Sequence, residues 1–248
     1  MVFSHAAAAA LWGMPRIEDW PVTIDVLVPD VRIRSSKLVR KHVGPPPTTC
    51  DRDGLTVTSA ARTVVDVART SSLATGLAAA DFALRARLCT PRELASEADA
   101  LVVGSPGARK ARTVVGLADP RSMSAGESLS RAQMFRLGLP KPELQVPYSD
   151  ADGLIGVVDF DWTGLVGEFD AKVKYHVTER GDPIEAQRVL WQEKQREDRL
   201  RRRARGVVRW DWATAINDGR LLRRLSEHGL RPQRGGSVSW FEDRLQAS

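Results

Sequence analysis

Between Gly156 and Tyr175 apolar and polar residues alternate with a period of two, the pattern of strands that bury one face. Val158, Phe160 and Trp162 fall on one side of the first run, and Val157, Asp159 and Asp161 on the other. In the second run Leu165, Gly167, Phe169, Ala171, Val173 and Tyr175 face away from Val166, Glu168, Asp170, Lys172 and Lys174. Thr163-Gly164 between the runs predicts a tight hairpin turn. Ile24–Val28, Leu38–His42, Leu55–Val57, Leu144–Tyr148 and Val207–Asp211 also read as strands.

Helical spacing dominates elsewhere. Met1–Leu11 predicts a helix capped by Ser4 and stopped at Gly13-Met14-Pro15. Ala61, Val64, Val65 and Ala68 form one face behind a cap at Thr58 or Ser59, with Arg62, Asp66 and Asp81 read as surface charges. Leu77, Ala80, Leu84 and Leu88 mark a helix over 73–88, and Thr90-Pro91 opens another with threonine at the N-cap. Further helices are expected over 108–117, 124–137, 183–205 and 212–228. On the long one, Ala186, Leu190, Leu200 and Ala204 make an apolar seam that Glu193 and Glu197 interrupt. The Asp119–Ser122 break suggests an α+β domain over 1–120 and a second over 121–230, with a loosely ordered tail over 231–248. The fold class is α/β, the second domain being a mixed sheet flanked by helices in the order αβββαβα.

On the hairpin, Asp159, Glu168 and Asp170 share one face with Lys172. Carboxylates on neighbouring strands, roughly 5 Å apart, repel and raise one another's pKa. Mg²⁺ (or Mn²⁺) bound by two of them relieves that repulsion, and a lysine beside it can orient a water or offset charge on a phosphodiester. Whether Glu168 or Asp170 is the main ligand stays open, and alternating charge is also what a solvated strand face carries. Glu127 has two readings as well. With Ser124 it has the spacing of a capping box, and it is a candidate further metal ligand.

The net charge is +6, and all of it resides after residue 179, where 16 Lys and Arg stand against 10 Asp and Glu. A basic segment beside a carboxylate cluster suits a phosphate backbone, with Lys194, Arg196, Arg199, Arg202 and Arg203 as its candidate track. Trp191, Trp210 and Trp212 serve either base stacking or the core. Two cysteines and four scattered histidines offer no zinc spacing or disulfide framework, so a reducing cytoplasm is the default. Neither a membrane span nor a small-molecule cofactor is expected.

Asp159 followed by Asp170-Ala-Lys172 resembles the PD-(D/E)xK nuclease signature, with Val158 in place of the motif's proline. The segments VVDFDW (157–162) and LVGEFDAKVKY (165–175) resemble the very-short-patch-repair-like endonuclease domain at the C-terminus of many actinobacterial AbiEi-type antitoxin-like proteins. SHAAAAALWGMP (4–15) and LTVTSAARTVVDVAR (55–69) resemble the middle segment of the same proteins. The resemblance implies a restriction-endonuclease-like fold and an endonuclease-like protein that hydrolyses DNA with Mg²⁺. Its alternative is a non-catalytic AbiEi-like antitoxin or transcriptional regulator that uses this fold as a scaffold for DNA or a partner. It further implies DNA as partner, a cognate toxin, and a winged helix-turn-helix head ahead of the first helix. Since that helix begins near residue 4, a chain lacking the head is expected.

Overall fold

The computed structural model describes residues 1–29, 36–44, 48–171 and 183–241. They divide into two compact units between Leu129 and Ser130. In the first, β1 (Val2–Phe3), β2 (Ile24–Val28), β3 (Val39–Val43), β4 (Thr49–Arg52) and β5 (Leu55–Thr58) form a mixed sheet in the order β3-β2-β1-β5-β4. Helices α1 (His5–Leu11), α2 (Ala60–Thr70), α3 (Leu73–Arg85), α4 (Pro91–Asp99) and α5 (Ala108–Leu117) accompany it, and α6 (Ala125–Arg136) runs across the division. Small residues build the core. Ala61, Val64, Val65 and Ala68 of α2 are all buried, in one cluster with Ala79, Ala80 and Ala83 of α3 and Val114 of α5.

The helix ends follow local chemistry. Ser59 accepts the amide of Arg62, and Thr90 with Glu93 completes a capping box behind Pro91. At the end of α1 the amides of Gly13 (φ 69°) and Met14 bond back to Ala10 and Ala9, a glycine-terminated stop. Ser4 departs from the expected cap. It occupies the N-cap position, but its hydroxyl bonds Nδ1 of His5 at 3.0 Å and caps no amide. His5 has a left-handed backbone (φ 49°), and its ring stacks on His42 with centroids 3.5 Å apart.

Three residues read as surface charges are corrected here. Asp66 is buried and accepts two bonds from Arg62 Nε, which is itself part-buried. Asp81 is buried and accepts from the Asp119 amide and the Ser128 hydroxyl. Helical periodicity ranks these positions as polar but cannot reveal a partner supplied from elsewhere in the fold.

In the second unit β6 (Glu143–Asp150), β7 (Gly153–Trp162), β8 (Leu165–Asp170) and β9 (Gly206–Asp211) form a mixed sheet in that order. The first three strands are antiparallel; β9 runs parallel to β8 after the crossover helix α7 (Pro183–Arg203). Then come α8 (Trp212–Ala215), α9 (Asp218–Ser226) and α10 (Gly236–Ser239). The single helix expected over 212–228 is two, because Asn217 caps a fresh start by accepting the Arg220 amide. The tail expected to be loose is held as far as Phe241. Trp240 is buried and donates to the Leu139 carbonyl, and Phe135 meets the rings of both Trp240 and Phe241. No helix of the described residues is long and apolar enough to cross a membrane.

The β7–β8 hairpin turns at Thr163 (φ 52°) and Gly164 (φ 90°), the paired positive angles of a type I′ turn. One face of its strands packs Phe160, Trp162 and Trp210, whose rings stack with centroids 5.4–6.1 Å apart. Gly167 lies under them. A Cβ there would meet Trp210 Cη2 at 2.8 Å and Trp162 Cζ3 at 2.9 Å. Both rings are buried, so Gly167→Ala is expected to cost roughly 1–3 kcal/mol through overpacking. A thermal melt of the variant checks this, and an unchanged midpoint would show that the rings move freely.

Candidate functional site

The opposite face of the same sheet carries the charged residues. β8 and β9 are in parallel register, Glu168 beside Arg209 and Asp170 beside Asp211. Strand alternation therefore places these four together, with Asp159 on the neighbouring strand. The ladder from β7 to β8 ends at the pair Phe160 and Gly167. At the next position the side chain of Asp159 accepts the Phe169 amide at 2.8 Å, replacing a backbone bond.

Glu168 is 7% exposed. Its two oxygens meet Arg196 at 2.9 Å and Arg209 at 2.6 Å. Glu193 bonds Arg196 at 3.0 Å and Arg209 at 3.2 Å, and Glu197 lies 3.8 Å from Arg209. The two glutamates that interrupt the apolar seam of α7 thus face the arginine of β9, while Leu200 on the same helix is buried with Val166 and Ile155. Hydrogen bonds donated to Glu193, reinforced by Glu168 and opposed by burial, push Arg196 further toward its charged form. For Arg209 burial works against the charge, and Glu168 and Asp170 more than offset it.

The other expected residues are distributed as follows. Asp161 accepts from the Tyr148 hydroxyl at 2.5 Å and from the Gly164 amide, an assignment to turn and sheet. Glu127, in the first unit, accepts from the Ser124 hydroxyl and the Met123 amide at 2.8 Å each, while Ser124 accepts the Glu127 amide. That is the capping-box alternative, with the carboxylate reaching one residue further back. Lys172 lies outside the described residues, as do the strand positions expected as far as Tyr175; the strand itself ends at Asp170.

Of the expected basic track, Arg199 is locked in a two-point pair with Asp150, at 2.9 and 2.5 Å, and holds that carboxyl down to about 2. Arg203 donates to the Ser149 carbonyl, and Lys194 and Arg202 are exposed. Trp210 is core, its Nε1 bonded to Ser130 Oγ at 2.8 Å, whereas Trp191 is 59% exposed.

Sequence reasoning missed a cavity of about 440 Å³ beside Asp170. Arg209, Arg220, Arg223 and Arg224 line it together with Asp170 and Thr214. The available signal was the i, i+3, i+4 spacing of the three α9 arginines opposite Leu221 and Leu225, both fully buried.

Glu168 fits a divalent cation poorly in this arrangement. Glu168 already has a guanidinium on each side, and a cation there would sit against two like charges. Asp159 has an amide on one oxygen. What the face offers is the ion-pair network of Glu168 and Glu193 with Arg196 and Arg209, bordered by an arginine-lined hollow.

Residues 2–117 match the model of the AbiEi antitoxin C-terminal domain. The chain is also 36% identical over 174 residues to the uncharacterized proteins MT2308 and Rv2248 of Mycobacterium tuberculosis. Those matches cover 68% of this chain, a share larger than the first unit, so the likeness extends into the second. The chain spans 62% of the length of these relatives. No solved structure matches it significantly.

Proposed function

We propose that this protein is an AbiEi-type antitoxin-like regulator whose second unit is a scaffold for DNA or a protein partner. The match of residues 2–117 to the AbiEi antitoxin C-terminal domain carries the reading. The double pairing of Glu168 supports it, because a Mg²⁺ site needs carboxylates whose charge is not already neutralised. The partners of this reading are DNA and a cognate toxin. A restriction-endonuclease-like fold is retained as the scaffold, since the fold itself does not imply the activity.

One observation favours the second reading, a Mg²⁺- or Mn²⁺-dependent endonuclease. Asp159, Glu168 and Asp170 do lie on one sheet face, with Asp170 opening into a cavity. Asp159 and Asp170 would then hold the metal, with Lys172 beside the attacked phosphate. Incubation of supercoiled plasmid with the protein and either metal separates the two. The regulator reading expects intact plasmid and a melting midpoint unmoved by metal. Nicking that is abolished by EDTA and by Asp170→Asn, with a metal-dependent rise in melting temperature, would establish the nuclease.

A further inference from the structure

Arg220 and Arg223, which line the α9 cavity, differ from Arg196, Arg199 and Arg201 of α7 in how their charge is used. On α7, Arg196, Arg199 and Arg201 each pair with a carboxylate, at 2.9, 2.5 and 2.6 Å. In the cavity, Arg224 donates to the Arg209 carbonyl and stands 3.9 Å from Glu227. The Arg220 and Arg223 side chains make no ion pair among the described residues, although both line the same hollow. Arg209 adds a buried Nε with no hydrogen-bond partner. Of the acids in the cavity, Asp211 is engaged as the cap of α8, accepting the Thr214 amide at 2.9 Å. Four guanidiniums line the hollow against the carboxylates of Asp170, Asp211 and Glu227, which leaves a net positive charge that an anion with several acceptor oxygens can complement. Phosphate matches the guanidinium fork.

We propose that the cavity between β9 and α9 binds backbone phosphates of DNA, with Arg220 and Arg223 as the contacting residues and Arg224 and Arg209 as their positioned neighbours. This rests on the DNA arm of the proposed function and specifies where it acts. It moves the track from α7, where Arg196, Arg199 and Arg201 are committed to carboxylates, to α9, where Arg220 and Arg223 make no ion pair among the described residues. Because both contacting residues project from one short helix into one hollow, the site takes one or two adjacent phosphates. Base edges play no part in the recognition, so the site contributes affinity without sequence discrimination.

The test is the salt dependence of binding to a fluorescent DNA duplex, measured for the full chain and two double variants. Each neutralised phosphate contributes about 0.9 to the slope of log K against log salt. Arg220→Gln/Arg223→Gln should lower that slope by about 2 and weaken binding roughly 10- to 100-fold at moderate salt. The Arg220→Lys/Arg223→Lys form should recover most of the slope, because charge is kept while the fork is lost. Arg202→Ala/Arg203→Ala, on α7, should leave the slope nearly unchanged. Circular dichroism and melting establish that each variant is folded. The proposal is overturned if the glutamine variant keeps the slope, if the α7 variant loses it, or if the folded wild type does not bind duplex. Titration with inorganic phosphate separates sources. Phosphate binding that needs Arg220 and Arg223, without duplex binding, would assign the cavity to a small phosphorylated ligand and overturn the DNA assignment. Plasmid nicking, by contrast, would overturn the regulator reading and leave this site standing.

Discussion

Replacing Glu168 with alanine is expected to destabilise the second unit by about 3 kcal/mol, a fall in melting temperature on the order of 10 °C. The carboxylate is 7% exposed and is bonded by Arg196 and Arg209, each about a quarter exposed. Its loss leaves two guanidiniums crowded against each other in a partly dry site. Breaking a buried pair from one side typically costs about 3–5 kcal/mol. The lower end applies here, because Glu193 remains within 3.2 Å of both arginines. The glutamine variant keeps one acceptor and should lose about half as much. A metal-ligand set predicts the reverse sign, since removing one of several repelling carboxylates stabilises the metal-free protein. Calorimetry of the two variants without metal decides between them. A midpoint that holds or rises would reinstate Glu168 as part of a strained acidic cluster.

Why the sequence reveals the hairpin and not its charge balance is a matter of range. Alternation over six residues with Thr163-Gly164 in between specifies strand, turn and face, and all three are found. Grouping Asp159, Glu168 and Asp170 on one face needed nothing further. The neutralisation of Glu168 depends on the parallel register of β8 with β9, joined through a crossover helix, and no local pattern encodes that register. Glu193 and Glu197 were visible as polar intruders in an apolar seam, but their partner Arg209 lies on a strand that reads only as Val-Val-Arg-Trp. Two strands escaped notice for a simpler reason. Val2–Phe3 is too short to show a period, and Thr49–Arg52 is polar throughout except for Cys50. Burial of Asp66 and Asp81 was equally hidden, since each is satisfied by partners that only the folded chain supplies.

The first unit should lose stability on mild acidification, and His5 should account for about 3 kcal/mol of that loss. Burial drives the His5 pKa down to about 4, helped by the stacked His42 and opposed by Asp66. The side chain is 8% exposed, with Nδ1 on the Ser4 hydroxyl and Asp66 at 3.9 Å. Arg62 holds Asp66, and His42 reaches Asp25 at 2.8 Å, so the carboxylates nearby already have cationic or hydrogen-bonding partners. The unfolded chain takes up a proton at this histidine near pH 6.5, whereas the folded chain does so only near pH 4. Between those values the unfolded state binds more protons, so stability falls as pH falls through this window. A displacement of this size corresponds to about 3 kcal/mol once pH has passed below the folded value. Other groups titrate over the same range, so the diagnostic quantity is the difference between wild type and His5→Asn. Asparagine tolerates the left-handed backbone at this position and carries no titrating ring. Melting temperatures of both proteins from pH 7.5 to 4.5 should converge as the wild type loses its margin. Parallel curves would show that His5 is protonated as readily in the fold as in water.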